Sequence, residues 1–505
     1  MRSNFKLILF ITVSILCYHE ALGQVSLLKD IHIGSGSSFL EKPTIFNGKL
    51  YFQASGATFA ETGIYESDGT PTGTLLLESS IFTDELTTTS DFLAWSGPPI
   101  SGTGTRIWRR INGVVESTGN ANNYAQRLFP YNGEMFYSGH TSSEGFELWK
   151  LKSTGSPEIV KSLPQSGSPR SLTPSRFINH SDGSFFFLSW RINSTCSLWR
   201  SSGDEASTYK VIDSPYTSEI FSVGSFIYFF RKDTEPFYSG PKQLWVSDGT
   251  AVGTYEIKDF GSGYPGTTQY AGHHDKFYFF APEPDDTYEL WQSDGTSAGT
   301  MAVSNIDIDS GFPTFLGSVG NNLFFKASKS GSGPVLYRYD DNLDSIILVK
   351  DINTASTTSG HMNPGVNFLN KLYFSADDGI NDLELWSSDG TSSGTQMVED
   401  INSDGNSEVN YLTVLGNRLF FLAADPVYGY EPRIFIDPLN PPCMDSLNLI
   451  DSSIQDVYEA SVIIESVQLI PLGASTVYHS PAIHLNPGFI ANTSTIFKAE
   501  PVGCN

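Results

Sequence analysis

An eleven-residue phrase recurs along this chain and constrains its fold more than any other feature. It reads Leu244-Trp245-Val246-Ser247-Asp248-Gly249-Thr250-Ala251-Val252-Gly253-Thr254 and returns at 64–74, 290–300 and 385–395. Degenerate copies fill the gaps at Ile107-Trp108, Leu148-Trp149, Leu198-Trp199, Leu336-Tyr337 and Ile434-Phe435. An aromatic residue thus stands at positions 65, 108, 149, 199, 245, 291, 337, 386 and 435, at steps of 41 to 50 residues. That makes nine units of about 46 residues, the period of blade-like four-stranded units.

Each unit carries a second landmark, an aromatic run entered through a tight turn: Asn47-Gly48 before Leu50-Tyr51-Phe52, Asn132-Gly133 before Met135-Phe136-Tyr137, Asp182-Gly183 before Phe185-Phe186-Phe187. Asn-Gly and Asp-Gly tolerate the positive φ angles of two-residue hairpins, so the flanking runs are expected to be antiparallel neighbours. The third strand of a unit ends at Leu-Trp, Ser-Asp-Gly-Thr turns the chain, and Gly-Thr opens the fourth. Helical periodicity is absent. One meander of this size cannot bury its aromatic face alone, so the units must stack, and the chain ends favour a closed ring. Val25-Ser26-Leu27-Leu28-Lys29-Asp30-Ile31 matches the fourth strand of a unit, as in Ile347-Leu348-Val349-Lys350-Asp351-Ile352, whereas the ninth unit stops after three strands at Asp437. The expected fold is all-β: a β-propeller of about nine four-stranded blades, with eight as the alternative count.

These units, with their Lys-Asp-Ile connections and Leu-Tyr-Phe strands, resemble the ELWxxDGT repeat family of secreted bacterial proteins over about residues 25–437. Units 2, 3, 4, 7 and 9 depart from the pattern at the Asp-Gly-Thr turn. The resemblance implies export and surface exposure, and no defined catalytic activity. Beyond the linker Asp437-Pro438-Leu439-Asn440-Pro441-Pro442 the period shortens: Val457-Tyr458-Glu459-Ala460-Ser461 is echoed by Val477-Tyr478-His479-Ser480, and Ser475 by Ser494. Residues 438–505 therefore read as a small C-terminal β-solenoid. They are similar to the coat-hanger-like stacks that end secreted proteins of gliding bacteria, with Leu485-Asn486-Pro487-Gly488-Phe489 as the matching phrase.

Residues 1–23 carry Arg2 and Lys6, then an apolar run from Leu7 to Leu16, then Ala21-Leu22-Gly23, the pattern of a secretory signal peptide. The run is short of the ~20 residues that cross a bilayer, and nothing later is apolar for as long, so the mature chain is expected to have no transmembrane segment. With 30 basic and 55 acidic residues the formal charge is 30 − 55 = −25, which disfavours any grip on nucleic acid. In an oxidising compartment Cys443 and Cys504 are expected to pair, closing a loop of about 60 residues. Cys196, inside an apolar stretch, reads as a buried thiol.

Candidate chemistry is sparse. The repeated Asp68, Asp248, Asp294 and Asp389 could bind cations or sugars, but Asp-Gly also builds the turn by itself, and a unique site needs no four copies. Trp108, Trp149, Trp199, Trp245, Trp291 and Trp386, one per unit at a fixed strand position, read as packing between blades. Asp400, Asn402, Asp404, Asn406 and Glu408 place oxygens at calcium-loop positions 1, 3, 5, 7 and 9 with Gly405 at position 6, which makes calcium the only cofactor raised. Position 12 is Tyr411, however, and no helices flank the loop. His273-His274 reads as a turn or surface pair. Repetition without a catalytic constellation points to an exported or outer-surface, non-enzymatic protein presenting a binding or adhesive surface to an extracellular glycan or protein. The alternatives are a propeller glycoside hydrolase or lyase and a passive surface-layer spacer.

Overall fold

A computed structural model describes the chain from residue 24 onwards, save for short stretches between strands, the longer being 98–104, 119–123, 164–172, 191–194, 232–242, 262–269, 283–287, 309–312, 329–332 and 355–360. Beyond residue 437 it describes backbone strands only. The expected signal segment 1–23 and both Cys443 and Cys504 lie outside the described residues.

The structure is all-β, with no helix among the described residues, and forms a propeller of nine four-stranded antiparallel blades. Blades 1 to 8 span 41–79, 85–117, 124–161, 173–215, 221–259, 270–308, 314–350 and 362–399. Each is a simple meander, here called strands a to d in chain order. Blade 9 takes strands a to c from Asn410–Leu415, Arg418–Asp425 and Gly429–Ile436, and its strand d from the other end of the chain, Gln24–Leu27. The ring closes on the strand match read from the sequence. The Leu28 amide donates to the Pro432 carbonyl at 2.9 Å, and the amides of Ile31 and His32 donate to the Glu431 carboxyl. Closure removes two unpaired sheet edges.

The Leu-Trp motif has a local structural meaning. In seven blades the register between strands c and d slips at this step, between Ile64/Tyr65, Leu148/Trp149, Leu198/Trp199, Leu244/Trp245, Leu290/Trp291, Leu336/Tyr337 and Leu385/Trp386. A β-bulge inserts one residue there and re-aims the aromatic. That ring lies opposite an aromatic of strand b in register: Phe52 with Tyr65, Phe187 with Trp199, Phe325 with Tyr337. These pairs stack with centroids 5.6 to 6.0 Å apart, a geometry that adds to the burial of the rings themselves.

The core sits between blades. Phe136 and Leu148 of blade 3 pack with Phe185, Phe187 and Trp199 of blade 4, and Phe324 and Leu336 of blade 7 with Phe374 and Trp386 of blade 8. Phe420 and Leu422 of blade 9 pack with Leu50, Phe52 and Tyr65 of blade 1. Trp149, Trp199 and Trp386 are buried, and Trp108, Trp245 and Trp291 are partly so within the same interblade clusters. Lysines of strand d cap the next blade: Lys258 lies over Trp291 at 4.8 Å, and Lys350 lies over Trp386 while donating to the Thr395 carbonyl. The tryptophans are packed wedges, as their fixed position in each unit anticipates.

Beyond residue 437 the pairing changes from antiparallel to parallel. Val457 lies opposite Val477, Ile464 opposite Ile483, Leu469 opposite Ile490 and Ser475 opposite Ile496.

Candidate functional site

In an antiparallel meander the a–b and c–d turns leave at the same end, so one end of the wheel collects seventeen turns, nine a–b and eight c–d, since strand d of blade 9 comes from the chain start. The Asp-Gly-Thr turns there are internally satisfied. Asp248 Oδ1 accepts the Thr250 amide and hydroxyl, both at 2.8 Å, and the Thr250 hydroxyl accepts the Gly253 amide at 2.9 Å. Ser247 and Thr254 share a 2.6 Å hydroxyl bond beneath. Asp68, Asp294 and Asp389 repeat the pattern. Hydrogen bonds from Thr296 hold the Asp294 carboxyl below its usual range. A Cβ on Gly253 would meet the Asp248 carboxyl at 2.1 Å, so the last Gly of the phrase is where this carboxylate rests. Gly249 at φ 89 and Gly295 at φ 91 let the turn press on the preceding blade, against Arg200 and Phe186 or against Phe226. The repeated Asp residues build turns and dock them.

Blade 7 breaks the pattern, and its departure matters. Its c–d turn reads Asp340-Asp341-Asn342-Leu343, with Asp340 Oδ1 accepting the Asn342 amide as Asp248 Oδ1 accepts the Thr250 amide. Counted from the aromatic of strand c, Asp340 holds the aspartate position and Asn342 the threonine position, and Asp341 stands where the Asp-Gly-Thr turns have glycine. Its carboxylate turns instead to blade 6, where His274 Nδ1 bonds Oδ2, His273 Nε2 lies 3.2 Å from the same oxygen, and the Tyr278 hydroxyl donates to Oδ1 at 3.3 Å. Among the described residues His273, His274 and Asp341 are the His/Cys/Asp/Glu group whose ligating atoms all lie within 4.8 Å of one another. The sequence shows the histidine pair as an isolated turn feature. Its third member, 67 residues on from His274, could be found only by noticing that blade 7 carries an aspartate where the Asp-Gly-Thr turns have glycine.

The loop 400–408 does not gather its oxygens in this way. Asn402 spends its side chain on the Asn406 carbonyl and the Asp404 amide, and Asn406 on the Glu408 amide. The carboxylates of Asp400, Asp404 and Glu408 do not belong to any group of three within ligating distance among the described residues. An Asn that caps its own loop is not free to turn inward as a ligand.

An open cavity of about 440 Å³ lies on the same turn face. It is lined by Ser181, Gly224, Ser225, Phe226 and Asp275 from the a–b turns of blades 4, 5 and 6, and by Asp294 from the c–d turn of blade 6. Both carboxylates are exposed, two hydroxyls flank them, and Phe226 supplies an apolar wall.

At the opposite end buried glutamates of strand c act as clamps: Glu147 and Glu384, which precede Leu-Trp, and Glu431, which precedes Pro432-Arg433. Glu431 takes the Ile31 and His32 amides, Glu384 the Ile401 amide at 3.0 Å and Glu147 the Leu163 amide at 2.6 Å. Each holds the loop leaving strand d. Burial pushes the Glu384 and Glu431 carboxyls up to about 7, with Asp400 and Asp30 beside them adding to the effect and the loop amides opposing it. Cys196 is free and buried, and burial pushes its thiol up to about 12.

No protein-family model and no curated protein matches the chain. Among solved structures it is similar to a puromycin-hydrolyzing peptidase of Mycobacterium tuberculosis, at 12% identity over 68% of this chain and 57% of that one, TM-score 0.38. It is also similar to prolyl oligopeptidase B from Galerina marginata, at 12% identity over 68% and 55%, TM-score 0.39. A third is the computationally designed Ika8 protein, at 12% identity over 70% and 95%, TM-score 0.38. The chain spans little more than half the length of the two peptidases. At these identities the likeness is one of fold alone, and the two natural proteins named are peptidases. The expectation of a non-enzymatic, adhesive or binding protein, with its glycosidase and spacer alternatives, is corrected on that finding. The physical reason is that repetition reports how blades are built and packed, whereas activity resides in single, non-repeated residues grafted onto them.

Proposed function

We propose that the chain is the substrate-holding propeller of a peptidase-type protein, and that it takes a cationic side chain or amino terminus of a peptide into the Asp275–Asp294 cavity. The carrying observation is the cavity itself: two solvent-facing carboxylates, two serine hydroxyls and the ring of Phe226 around one opening. An ammonium or guanidinium group finds its counter-charges there, its alkyl stem finds the ring, and a backbone amide finds the hydroxyls. The chain charge of −25 draws cationic peptides toward every face and repels acidic ones. The leader-like residues 1–23 and the ELWxxDGT resemblance favour export, and the parallel pairing after residue 437 favours stacked rungs there.

The test measures binding and cleavage of labelled Lys- or Arg-containing peptides against Glu-containing counterparts by anisotropy and mass spectrometry, using the full chain. Asp275→Asn should weaken the cationic peptides two- to fivefold, the ~0.5–1 kcal/mol of an exposed ion pair, and leave the acidic ones unchanged. Cationic peptides neither held nor cut, or held equally by the variant, would overturn the assignment.

A further inference from the structure

We propose that His273, His274 and Asp341 form a site for a borderline divalent metal ion, of which Zn²⁺ is the natural probe. Three observations converge on it. First, the donor set is two imidazoles and a carboxylate, the mixed nitrogen and oxygen chemistry that such ions take. Second, His273 is 4% exposed, and its Nε2 has no hydrogen-bond partner although Asp341 Oδ2 lies 3.2 Å away. The other ring nitrogen is held by the backbone of Asn321, which fixes the ring with Nε2 facing the carboxylate. A metal-ligating histidine is oriented in just this manner, one nitrogen on the backbone and the other on the ion. Third, two ligands bound at ~2.0–2.1 Å to a tetrahedral ion stand about 3.3 Å apart, close to the observed 3.2 Å between Nε2 and Oδ2.

The surroundings fit as well. Tyr278 holds Asp341 Oδ1 and leaves Oδ2 as the ligating oxygen. His274 stands at φ 48, the left-handed conformation of the a–b hairpin turn that Asn47 and Asn132 also adopt, and there two consecutive histidines address one point. Its side chain is 54% exposed, so the fourth position of the ion opens to solvent on the same face as the cavity. Three protein ligands and one open position distinguish a site able to hold water or substrate from a closed structural one.

Metal binding is measured without peptide, so its outcome is independent of the peptide reading. The full chain, stripped with chelator and dialysed against Zn²⁺, is assayed for bound metal and titrated calorimetrically, and Co²⁺ is added to look for visible d–d absorption. The expected result is one equivalent, with affinity falling at least tenfold in His274→Asn and in Asp341→Asn and unchanged in His180→Ala, which alters a blade 4 turn. Asparagine tolerates the left-handed backbone at 274, and this side chain is half exposed, so that variant keeps the fold, as its circular dichroism will verify. Absence of bound metal would mean that the three residues form a His–Asp hydrogen bond and nothing more. Undiminished binding in His274→Asn would place the metal elsewhere. Either result overturns the site.

Discussion

The buried glutamates that clamp the loops after strand d make a pH dependence that can be worked from the structure. Glu431 and Glu384 are fully shielded from solvent, and burial raises each carboxyl from 4.5 to about 7. The folded carboxyl therefore holds its proton more tightly than the unfolded one. Its contribution to stability is fully present below about pH 4.5 and is lost as pH rises through about 7. A displacement of that size corresponds to about 3 kcal/mol per group. For a cooperative unit of about 400 residues, 1 kcal/mol moves the melting temperature by about 1 °C, so each group accounts for about 3–4 °C. Glu431→Gln keeps one of the two oxygens that accept from Ile31 and His32, loses the other at every pH, and removes the titration, so the change between the two pH values is the readout. Thermal melts of wild type and variant at pH 4.5 and pH 8 should show the variant gaining about 3–4 °C relative to wild type at the higher pH. Glu384→Gln should do the same, and because the two clamps sit in neighbouring blades with separate partners, the double variant should show roughly the sum. An offset that is equal at both pH values would refute the claim that these carboxyls are carried protonated into the folded wheel.

Two further perturbations test the packing scheme. Trp199→Ala empties the cluster shared by blades 3 and 4 and should cost ~3–5 kcal/mol in denaturant unfolding, whereas a solvent-facing indole would cost far less. Gly253→Ala forces a Cβ onto the Asp248 carboxyl and should destabilise by ~1–3 kcal/mol, with most of the loss recovered when Asp248→Gly is added. Failure of that rescue would show that the last glycine serves something other than the aspartate.

Much of the wheel is written in local phrases. Asn-Gly before Leu-Tyr-Phe specifies a hairpin because its backbone angles are available to few other residues, and Asn47 at φ 49 with Gly48 at φ 72 uses them as anticipated. The Trp at a fixed point in each unit reads as core because the same contact must be made at every junction. Closure was legible too, since Val25–Ile31 repeats a strand that blade 9 lacks. The reading stopped short where spacing does not say which partner a side chain takes. Loop 400–408 has calcium-like spacing, but spacing cannot reveal that Asn402 and Asn406 bond their own backbone. The glutamate before Leu-Trp looks like one more polar strand residue until its amide partners on the loop after strand d are in view.

The sequence by itself therefore determined the blade, its turns and its aromatic pair, because those depend on contacts within one unit or between equivalent neighbours. Only the tertiary structure decided which copies depart from the pattern to some purpose. Asp341 meets His273 and His274 because adjacent blades dock turn on turn, and because blade 7 carries a side chain at the turn position where the Asp-Gly-Thr turns have glycine. The cavity beside Asp275 arises in the same way, from turns of three blades that have no sequence relation beyond their place in the ring. A site of this kind depends on convergence of distant residues, and convergence is set by packing, which a one-dimensional pattern does not record.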